Sequence, residues 1–326
     1  MDVLHSKYTG FPIITLYEEP KRHQLVPLFF VMAFRTIVIN KASKISLDLN
    51  NIVIYYDNEP YWINLDDISV IIIEDPRCLV SLKLLTSITE KGIDMIFCNS
   101  SHMPIGSLQT LHNNTRHPKK IKQQIEWNIE SKKYLWTKIV EHKIKLQIDT
   151  LIMTDKLNKI DIMNTYLNTI ENNDTSNREG LASRTYFKEL FGNTFKRFNE
   201  DIINFTLNYV YQIIRSKISQ EIVNCGYHPS IGIRHCSEYN NYNLADDFIE
   251  VYRPIVDYHV YNLLENCEDN FLTPSLKDNL VDIINNRIKY NNCEQKIHIS
   301  ITLYLQNMFS FLESGDINKI IFPDNI

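Results

Sequence analysis

The sequence predicts an α+β protein in which a small β-rich N-terminal domain precedes a larger all-helical C-terminal domain. Short segments rich in β-branched residues fill the region from Arg35 to about Asn99. After residue 118, apolar residues recur three or four positions apart, which is the period of amphipathic helices. Glycine is scarce, with eight in 326 residues, and this argues against a glycine-rich phosphate-binding fold.

The β-rich domain is assigned to residues 32–105. Its strand segments are Thr36–Ile39, Ile52–Tyr56, Tyr61–Ile63, Val70–Ile73 and Met95–Cys98. One helix is predicted from Leu79 to Lys91, where leucines and Ile88 follow a helical spacing. Residues 1–31 lack a clean period and Met32 offers an alternative start, so we expect an N-terminal extension that need not be native. The alternative is an additional edge strand.

Residues 106–118 are predicted to be a linker, because they carry Ser, His, Pro, Asn and Gly without a period. The helical domain then covers residues 119–326. Its first part, from Ile121 to Ile148, is either one long amphipathic helix or two helices in tandem. Further helices are predicted at about 156–170, 178–191, 196–224, 244–266, 277–290 and 296–313.

Composition excludes several classes of protein. The hydrophobic fraction of 44% and the charged fraction of 22% are those of a folded globular chain. The apolar run from Leu25 to Val31 is too short to span a membrane, and no basic segment of a secretory signal precedes it. The six cysteines stand singly, without zinc-site spacing, so they are expected to be reduced and buried. These features predict a cytoplasmic protein without a membrane partner.

The net charge of −5 argues against nucleic acid as a partner, but the charge is uneven. Between Arg116 and Lys145 there are nine basic residues and three acidic ones, a local balance of +6. Such a stripe can neutralise the phosphates of a nucleic acid. On its own, however, the pattern favours a solvated helix face.

A first candidate site lies in the segment Ser176–Phe187. Ser176 or Asn177 is predicted to be the N-cap of a helix, with Glu179 in its first turn. Glu179 then either completes a capping box or stands beside a ligand, since the small residues that follow permit close approach of a helix or a phosphate.

A second candidate site lies between Gly226 and Pro254. Asp247 and Glu250 are three residues apart on a predicted helix, so both carboxylates project from one face. Pairing of Glu250 with Arg253 is the structural alternative. His235, preferred to His228 because it lies closer to the acidic helix, would add an imidazole. One imidazole and two or three carboxylate oxygens suit Mn²⁺ or Mg²⁺, with the imidazole favouring Mn²⁺.

Three motifs in this order resemble the signature of the CRISPR-associated spacer-acquisition integrases, endonucleases numbered first among the CRISPR-associated proteins. The motifs are Ser176–Gly180 continuing to Phe187, Gly226–His235, and Asp247–Pro254 with Asp257. The stretches Met32–Asn40, Ile96–Cys98, Gln124–Trp127 and Leu135–Thr137 resemble the type II branch of that family. The resemblance begins at Met32, and residues 1–31 have no counterpart in it.

The resemblance implies that Glu179, His235 and Glu250 bind one Mn²⁺ or Mg²⁺ ion, with Asp247 as a nearby fourth catalytic group. Members of the type II branch commonly carry Glu at the last ligand position, and Glu250 agrees. The sequence departs from the pattern of that family at two positions, with an additional acid at Asp246 and a serine at Ser183. Neither difference removes a ligand.

The resemblance also implies the reaction and the partners. A DNA 3′-hydroxyl attacks a phosphodiester at the repeat boundary, which inserts a new spacer by transesterification. Residues 32–105 would form a homodimer, and a small ferredoxin-like second CRISPR-associated protein would join two dimers into a heterohexamer. Candidates for contacts to DNA are Arg178, Arg184, Arg234, Lys119, Lys120 and Lys122.

Two alternatives stay open. A metal-dependent nuclease or resolvase of branched DNA would use the same ligands without joining strands. A non-catalytic DNA-binding scaffold would use the carboxylates only to brace helices, in salt bridges of the kind that Arg253 could make.

Overall fold

The computed structural model of the chain describes residues 14–16, 35–100, 103–108, 117–265 and 271–325. The chain divides into two compact units, Met1–Leu111 and His112–Ile326. The first is built on β-sheets and the second is mostly helical, so the predicted α+β class is confirmed.

The first unit contains two sheets and one helix. Its elements are β1 (Ile14–Leu16), β2 (Arg35–Ile39), β3 (Lys44–Asp48), β4 (Asn51–Tyr56), β5 (Glu59–Asn64), β6 (Ile68–Ile73), β7 (Leu79–Val80), α1 (Leu82–Lys91), β8 (Asp94–Cys98) and β9 (Pro104–Leu108). One sheet has the strand order β1-β2-β6-β8-β9, and the other has the order β5-β4-β3-β7. Strands β2, β6 and β8 pair in parallel, and the continuous runs of buried β-branched residues in β2 and β6 are typical of such strands.

Helix α1 begins three residues later than predicted. Leu79 and Val80 pair with β3, which places them in a short strand. The side chain of Ser81 then caps the helix by accepting a hydrogen bond from the backbone N–H of Leu84. Helix α1 ends at Gly92, whose φ of 67° is a left-handed conformation that glycine adopts without strain.

The second unit contains nine helices among the described residues. They are α2 (His117–Ile125), α3 (Ile129–Met153), α4 (Ile160–Asn168), α5 (Arg178–Phe191), α6 (Ile202–Asn224), α7 (Asn243–Ile249), α8 (Arg253–Glu265), α9 (Pro274–Asp282) and α10 (Ile297–Ser314). The first predicted helical stretch is two helices in tandem. Asn128 separates α2 from α3 and caps α3 by accepting hydrogen bonds from the backbone N–H groups of Glu130 and Ser131.

The C-terminal unit is mostly helical, as predicted, but it is not all-helical. Strands β10 (Arg287–Tyr290), β11 (Cys293–Lys296) and β12 (Pro323–Asp324) form a small antiparallel sheet within it. The predicted helix over residues 277–290 therefore ends early, at Asp282. Asn291 and Asn292 have φ values of 50° and 62°, so they form the two-residue turn that joins β10 to β11.

Several predictions fall partly outside the described residues. Residues 109–116 of the predicted linker lie outside them, while 106–108 belong to β9 and His117 opens α2. Of residues 1–31, only Ile14–Leu16 are described, and they form the edge strand β1 beside β2. Among the described cysteines, Cys236 and Cys293 are exposed, contrary to the expectation of burial. No described helix is long and apolar enough to cross a membrane.

Candidate metal centre

The helix that carries Glu179, α5, is capped by an unexpected residue. Asn177 stands at the N-cap position with a left-handed backbone (φ 52°), and its side chain makes no capping hydrogen bond. The carboxylate of Asp174 instead accepts hydrogen bonds from the backbone N–H groups of Arg178 (2.7 Å) and Glu179 (3.1 Å). Asn177 therefore occupies the N-cap position, one of the two predicted, but the capping hydrogen bonds come from Asp174. The capping-box alternative for Glu179 is wrong, because its carboxylate bonds to Lys143 and Ser183.

The loop between α6 and α7 folds around the carboxylate of Asp247, which is fully buried. Its Oδ2 accepts hydrogen bonds from the backbone N–H groups of Ile233 (2.7 Å) and Arg234 (3.1 Å), and its Oδ1 accepts one from that of His235 (3.0 Å). A Cβ at Gly232 would overlap the carbonyl oxygen of His235 and lie 2.7 Å from Oδ2 of Asp247. The loop therefore needs glycine at this position, and Asp247 fixes its path.

Asp247 also orients the imidazole of His235. Nδ1 of His235 lies 2.7 Å from Oδ1 of Asp247, and this hydrogen bond raises the pKa of His235. The ring meets Trp136 edge-on, with 5.7 Å between centroids, and 45% of the His235 side chain is exposed. With Nδ1 donating to Asp247, Nε2 is the nitrogen that can bind a metal. The alternative, His228, is engaged through its Nδ1 with Ser230.

The carboxylates of Glu179 and Glu250 converge on the ammonium group of Lys143. Nζ of Lys143 donates hydrogen bonds to Oε1 of Glu179 and to Oε2 of Glu250, and only 6% of the Lys143 side chain is exposed. Attraction to the Lys143 charge lowers the pKa of Glu179 to about 2. Burial opposes the charge on Lys143, but Glu250 and Glu179 outweigh that effect and raise the pKa of Lys143.

Neighbouring groups hold the two glutamates in place. Ser183 donates a hydrogen bond to Oε1 of Glu179 (3.0 Å), and Gln147 supports Ser183 from α3 (3.3 Å). Nε of Arg253 lies 3.0 Å from Oε1 of Glu250, so the ion pair considered as the structural alternative is present. Glu250 therefore faces two cations, Lys143 and Arg253.

The residues at this point suit a divalent cation in their chemistry. Glu179 and Glu250 already share one positive charge, and Asp247 orients the imidazole of His235 in the way that outer carboxylates orient metal-binding histidines. Two carboxylates and an imidazole are a donor set for Mn²⁺ or Mg²⁺. Within the part of the chain that the structure describes, no three acidic, imidazole or thiol groups stand close enough to hold one ion in this conformation. Lys143 occupies the point on which the carboxylates converge.

A buried acid stands on the next helix. Asp257, on α8, is 1% exposed and accepts a hydrogen bond from the hydroxyl of Tyr211. Burial raises its pKa to about 6, against the opposing effect of hydrogen bonds from Tyr211 and Tyr186. Asp257 belongs to the third motif but is separate from the Lys143 contacts.

The predicted DNA-binding arginines differ in exposure. Arg184 and Arg234 are exposed, whereas Arg178 is half-buried with its Nε 3.4 Å from the carbonyl oxygen of Thr169. Their roles stay predictions.

The predicted DNA-binding lysines differ in their contacts. Lys119 and Lys122 are exposed, and Lys122 lies 4.0 Å from Glu126. Lys120 is engaged internally, because its ammonium contacts Glu313 and the hydroxyl of Tyr227. Of the three, Lys119 and Lys122 are the better placed for a phosphate.

Sequence reasoning missed the special position of Lys143, which it counted only as part of the basic stripe. A signal was present. Lys143 follows Trp136, Ile139 and Val140 at helical spacing, so it falls on the apolar face of α3. A lysine on a buried face needs a partner of opposite charge, which here is the pair of glutamates. Asp174 was missed because its capping bonds depend on the left-handed turn at Asn177.

Comparisons with known proteins agree with the sequence motifs. A family model described as CRISPR associated protein Cas1 matches residues 36–271. The CRISPR-associated endonuclease Cas1 of Neisseria meningitidis serogroup C is 32% identical over 289 residues, covering 88% of this chain and 94% of that protein.

Solved structures share the fold. A structure titled as a Cas6-RT-Cas1–Cas2 complex aligns with a TM-score of 0.70 at 14% identity, over 92% of this chain and 37% of the longer one. A casposase bound to its integration product aligns with a TM-score of 0.65 at 18% identity, over 86% of this chain and 91% of the casposase.

Proposed function

The chain belongs to the family of CRISPR associated protein Cas1, and on that premise we propose that it is a metal-dependent DNA endonuclease and integrase of CRISPR adaptation. In the proposed reaction, the 3′-hydroxyl of a captured DNA fragment attacks a phosphodiester at the boundary of a repeat. A new P–O bond forms to the fragment's 3′-oxygen, whose hydroxyl proton is released, as the bond to the array 3′-oxygen breaks. The departing 3′-oxygen takes up a proton, so the step is proton-neutral. Strands are exchanged without net hydrolysis.

One observation carries the proposal, namely that Glu179 and Glu250 converge on one cationic point, Nζ of Lys143. Asp247 orients the imidazole of His235, on whose charge Glu250 also acts. A divalent ion bound by Glu179, Glu250 and His235 would polarise the phosphoryl oxygen and stabilise the charge that develops on the departing 3′-oxygen. Asp247 keeps the imidazole oriented by accepting its Nδ1 proton and holds the loop by three backbone hydrogen bonds.

Basic residues in the same unit supply the contacts to DNA in this proposal. Arg178, Arg184 and Arg234 bind phosphates next to the cation, while Lys119 and Lys122 contact the backbone farther along α2. Lys120 contributes less, because Glu313 offsets its charge.

The partners are a homodimer formed through residues 32–105 and a small ferredoxin-like second CRISPR-associated protein that joins two dimers. A shared fold with a chain solved in a complex with Cas2, and with a casposase solved on its integration product, supports both the partner and the DNA substrate. The motifs support a type II system. Because its DNA substrates are there, the protein would act in the cytoplasm.

A strand-joining assay tests the proposal. A labelled DNA fragment with free 3′-hydroxyls is incubated with a repeat-containing plasmid, the small partner protein and Mn²⁺, and the label joined to plasmid is measured. We expect joined product with the wild type and none with Glu179→Gln or Glu250→Gln. The matched control is Glu189→Gln on the same helix as Glu179. Within the described part of the chain the hydrogen bonds of Glu189 are to Asn158, so this variant should leave joining intact.

The products also separate the alternatives. Cut plasmid without joined label would mean a nuclease or resolvase of branched DNA. The ion pair between Arg253 and Glu250 is the observation that favours a scaffold. If the carboxylates only brace helices, Mn²⁺ will not raise the melting temperature, and the glutamine variants will bind DNA as the wild type does.

A further inference from the structure

Lys143 presents a charge where the proposed function requires a metal ion. Its ammonium contacts the two glutamates that the resemblance assigns as ligands, from a helix that carries neither of them. The side chain is 6% exposed, so water cannot substitute for these contacts. An ammonium at this point and a divalent ion bound by the same oxygens would repel each other strongly in a buried setting.

We propose that Lys143 is a positioning residue that acts as an internal counter-cation. Its ammonium holds Glu179 and Glu250 together in the metal-free protein and moves away when a divalent ion binds to their carboxylates. This inference rests on the metal site of the proposed function and concerns how that site is kept ready. Without the charge of Lys143 between them, the carboxylates of Glu179 and Glu250 would repel each other and separate. With Lys143 present, both carboxylates stay aimed at one point before the metal arrives.

The surroundings explain why a lysine suits this role. Arg253 offsets part of the charge of Glu250 from its other side, at Oε1, so Oε2 is the oxygen that faces Lys143. Glu179 has Ser183 as its remaining support. The lysine ammonium is a point charge on a flexible four-carbon stem, so it can withdraw from both oxygens, whereas a planar guanidinium would hold them in a fixed fork.

The proposal predicts opposite effects of removing the charge on the two states of the protein. In a variant without the Lys143 charge, the metal-free protein loses the salt bridges to Glu179 and Glu250 and becomes less stable. The metal binds more tightly, because no ammonium must be displaced. A purely structural ion pair would give the first effect without the second, and a lysine that helps to hold the ion would give weaker metal binding.

Calorimetric titration with Mn²⁺ after removal of bound metal separates these outcomes. Lys143→Met and Lys143→Gln are each expected to bind Mn²⁺ at least tenfold more tightly than the wild type. Their metal-free forms should melt several degrees lower, and saturating Mn²⁺ should narrow that gap. The control is Lys145→Met, which removes an exposed lysine on the same helix, 3.4 Å from Asp324, and should change neither quantity. Unchanged or weaker Mn²⁺ binding by both Lys143 variants would overturn the proposal.

Crystals of the wild type answer the question even if neither variant folds. Without metal, Nζ of Lys143 should bridge Glu179 and Glu250, and with Mn²⁺ it should have left at least one of them. An ammonium still bonded to both carboxylates beside a bound ion would contradict the inference. The strand-joining assay is independent of these measurements. If the wild type joins strands but the Lys143 variants bind Mn²⁺ no more tightly than it does, this inference alone is rejected. If the variants bind Mn²⁺ more tightly but the wild type joins no strands, the proposed integrase alone is rejected.

Discussion

Replacement of Asp247 by asparagine should destabilise the helical unit markedly. The buried carboxylate accepts four hydrogen bonds, three from backbone N–H groups of Ile233, Arg234 and His235 and one from Nδ1 of His235. An asparagine has one oxygen, so its NH₂ group must face two donors. Losing two hydrogen bonds to a charged group at about 1.5–3 kcal/mol each gives a loss of roughly 3–6 kcal/mol.

The measurement is the melting temperature of the purified full-length protein. For a unit of this size, each kcal/mol corresponds to about 2–4 °C, so Asp247→Asn should melt roughly 6–24 °C below the wild type. The control is the neighbouring substitution Asp246→Asn. Asp246 accepts one hydrogen bond from Asn240 and lies 3.8 Å from Arg215, so its loss should cost about 1 kcal/mol or less. If Asp247→Asn and Asp246→Asn both had melting temperatures close to that of the wild type, Asp247 would not hold the loop as described.

Three further predictions follow from the same contacts. Asp174→Ala should destabilise the protein by about 1–2 kcal/mol in chemical denaturation, because the first turn of α5 loses its capping acceptor, and should weaken Mn²⁺ binding through Glu179. Asp257 has a raised pKa of about 6, so its contribution to stability is full below about pH 4 and is lost as the pH rises to about 6. The stability of the wild type relative to Asp257→Asn should therefore fall by up to about 3 kcal/mol between pH 4 and pH 7 in denaturation at each pH. Neutralising both Lys119 and Lys122 with glutamine should weaken DNA binding and reduce the slope of log K against log salt by about 1.8, measured by fluorescence anisotropy.

Each of these predictions has a result that would contradict it. An Asp174→Ala protein with unchanged stability would show that Asn177 or water caps α5 equally well. A stability difference that stays constant with pH would mean that Asp257 titrates normally. A salt slope equal to that of Lys319→Gln, an exposed lysine outside the basic stripe, would place the DNA away from α2.

Local sequence patterns predicted most of the fold, because the spacing of apolar residues follows directly from the geometry of a single strand or helix. The β-branched runs at Ile37–Ile39 and Ile71–Ile73 became buried strands, and the apolar period after residue 118 became helices. The error at β10 and β11 came from treating residues 277–290 as one helical pattern. The pair Asn291-Asn292 is a signal for a two-residue hairpin turn, and the alternating burial of Arg287–Tyr290 is that of a strand.

The candidate site was predictable only in part. The spacing of Asp247 and Glu250 placed both acids on α7 or its last turn, but it could not show that they face different partners. Asp247 contacts the loop of His235, whereas Glu250 contacts Lys143. Such partners come from segments more than ten residues away, and a sequence pattern reports only on neighbours along one element. The convergence of Glu179, Glu250 and Lys143 is a tertiary feature for that reason.

Diffraction data collected at the manganese absorption edge from crystals soaked in Mn²⁺ would test the central claim most directly. The account predicts one anomalous peak per chain, within coordination distance of Glu179, Glu250 and Nε2 of His235. An anomalous peak elsewhere in the chain, or none at the point where the two glutamates converge, would contradict it.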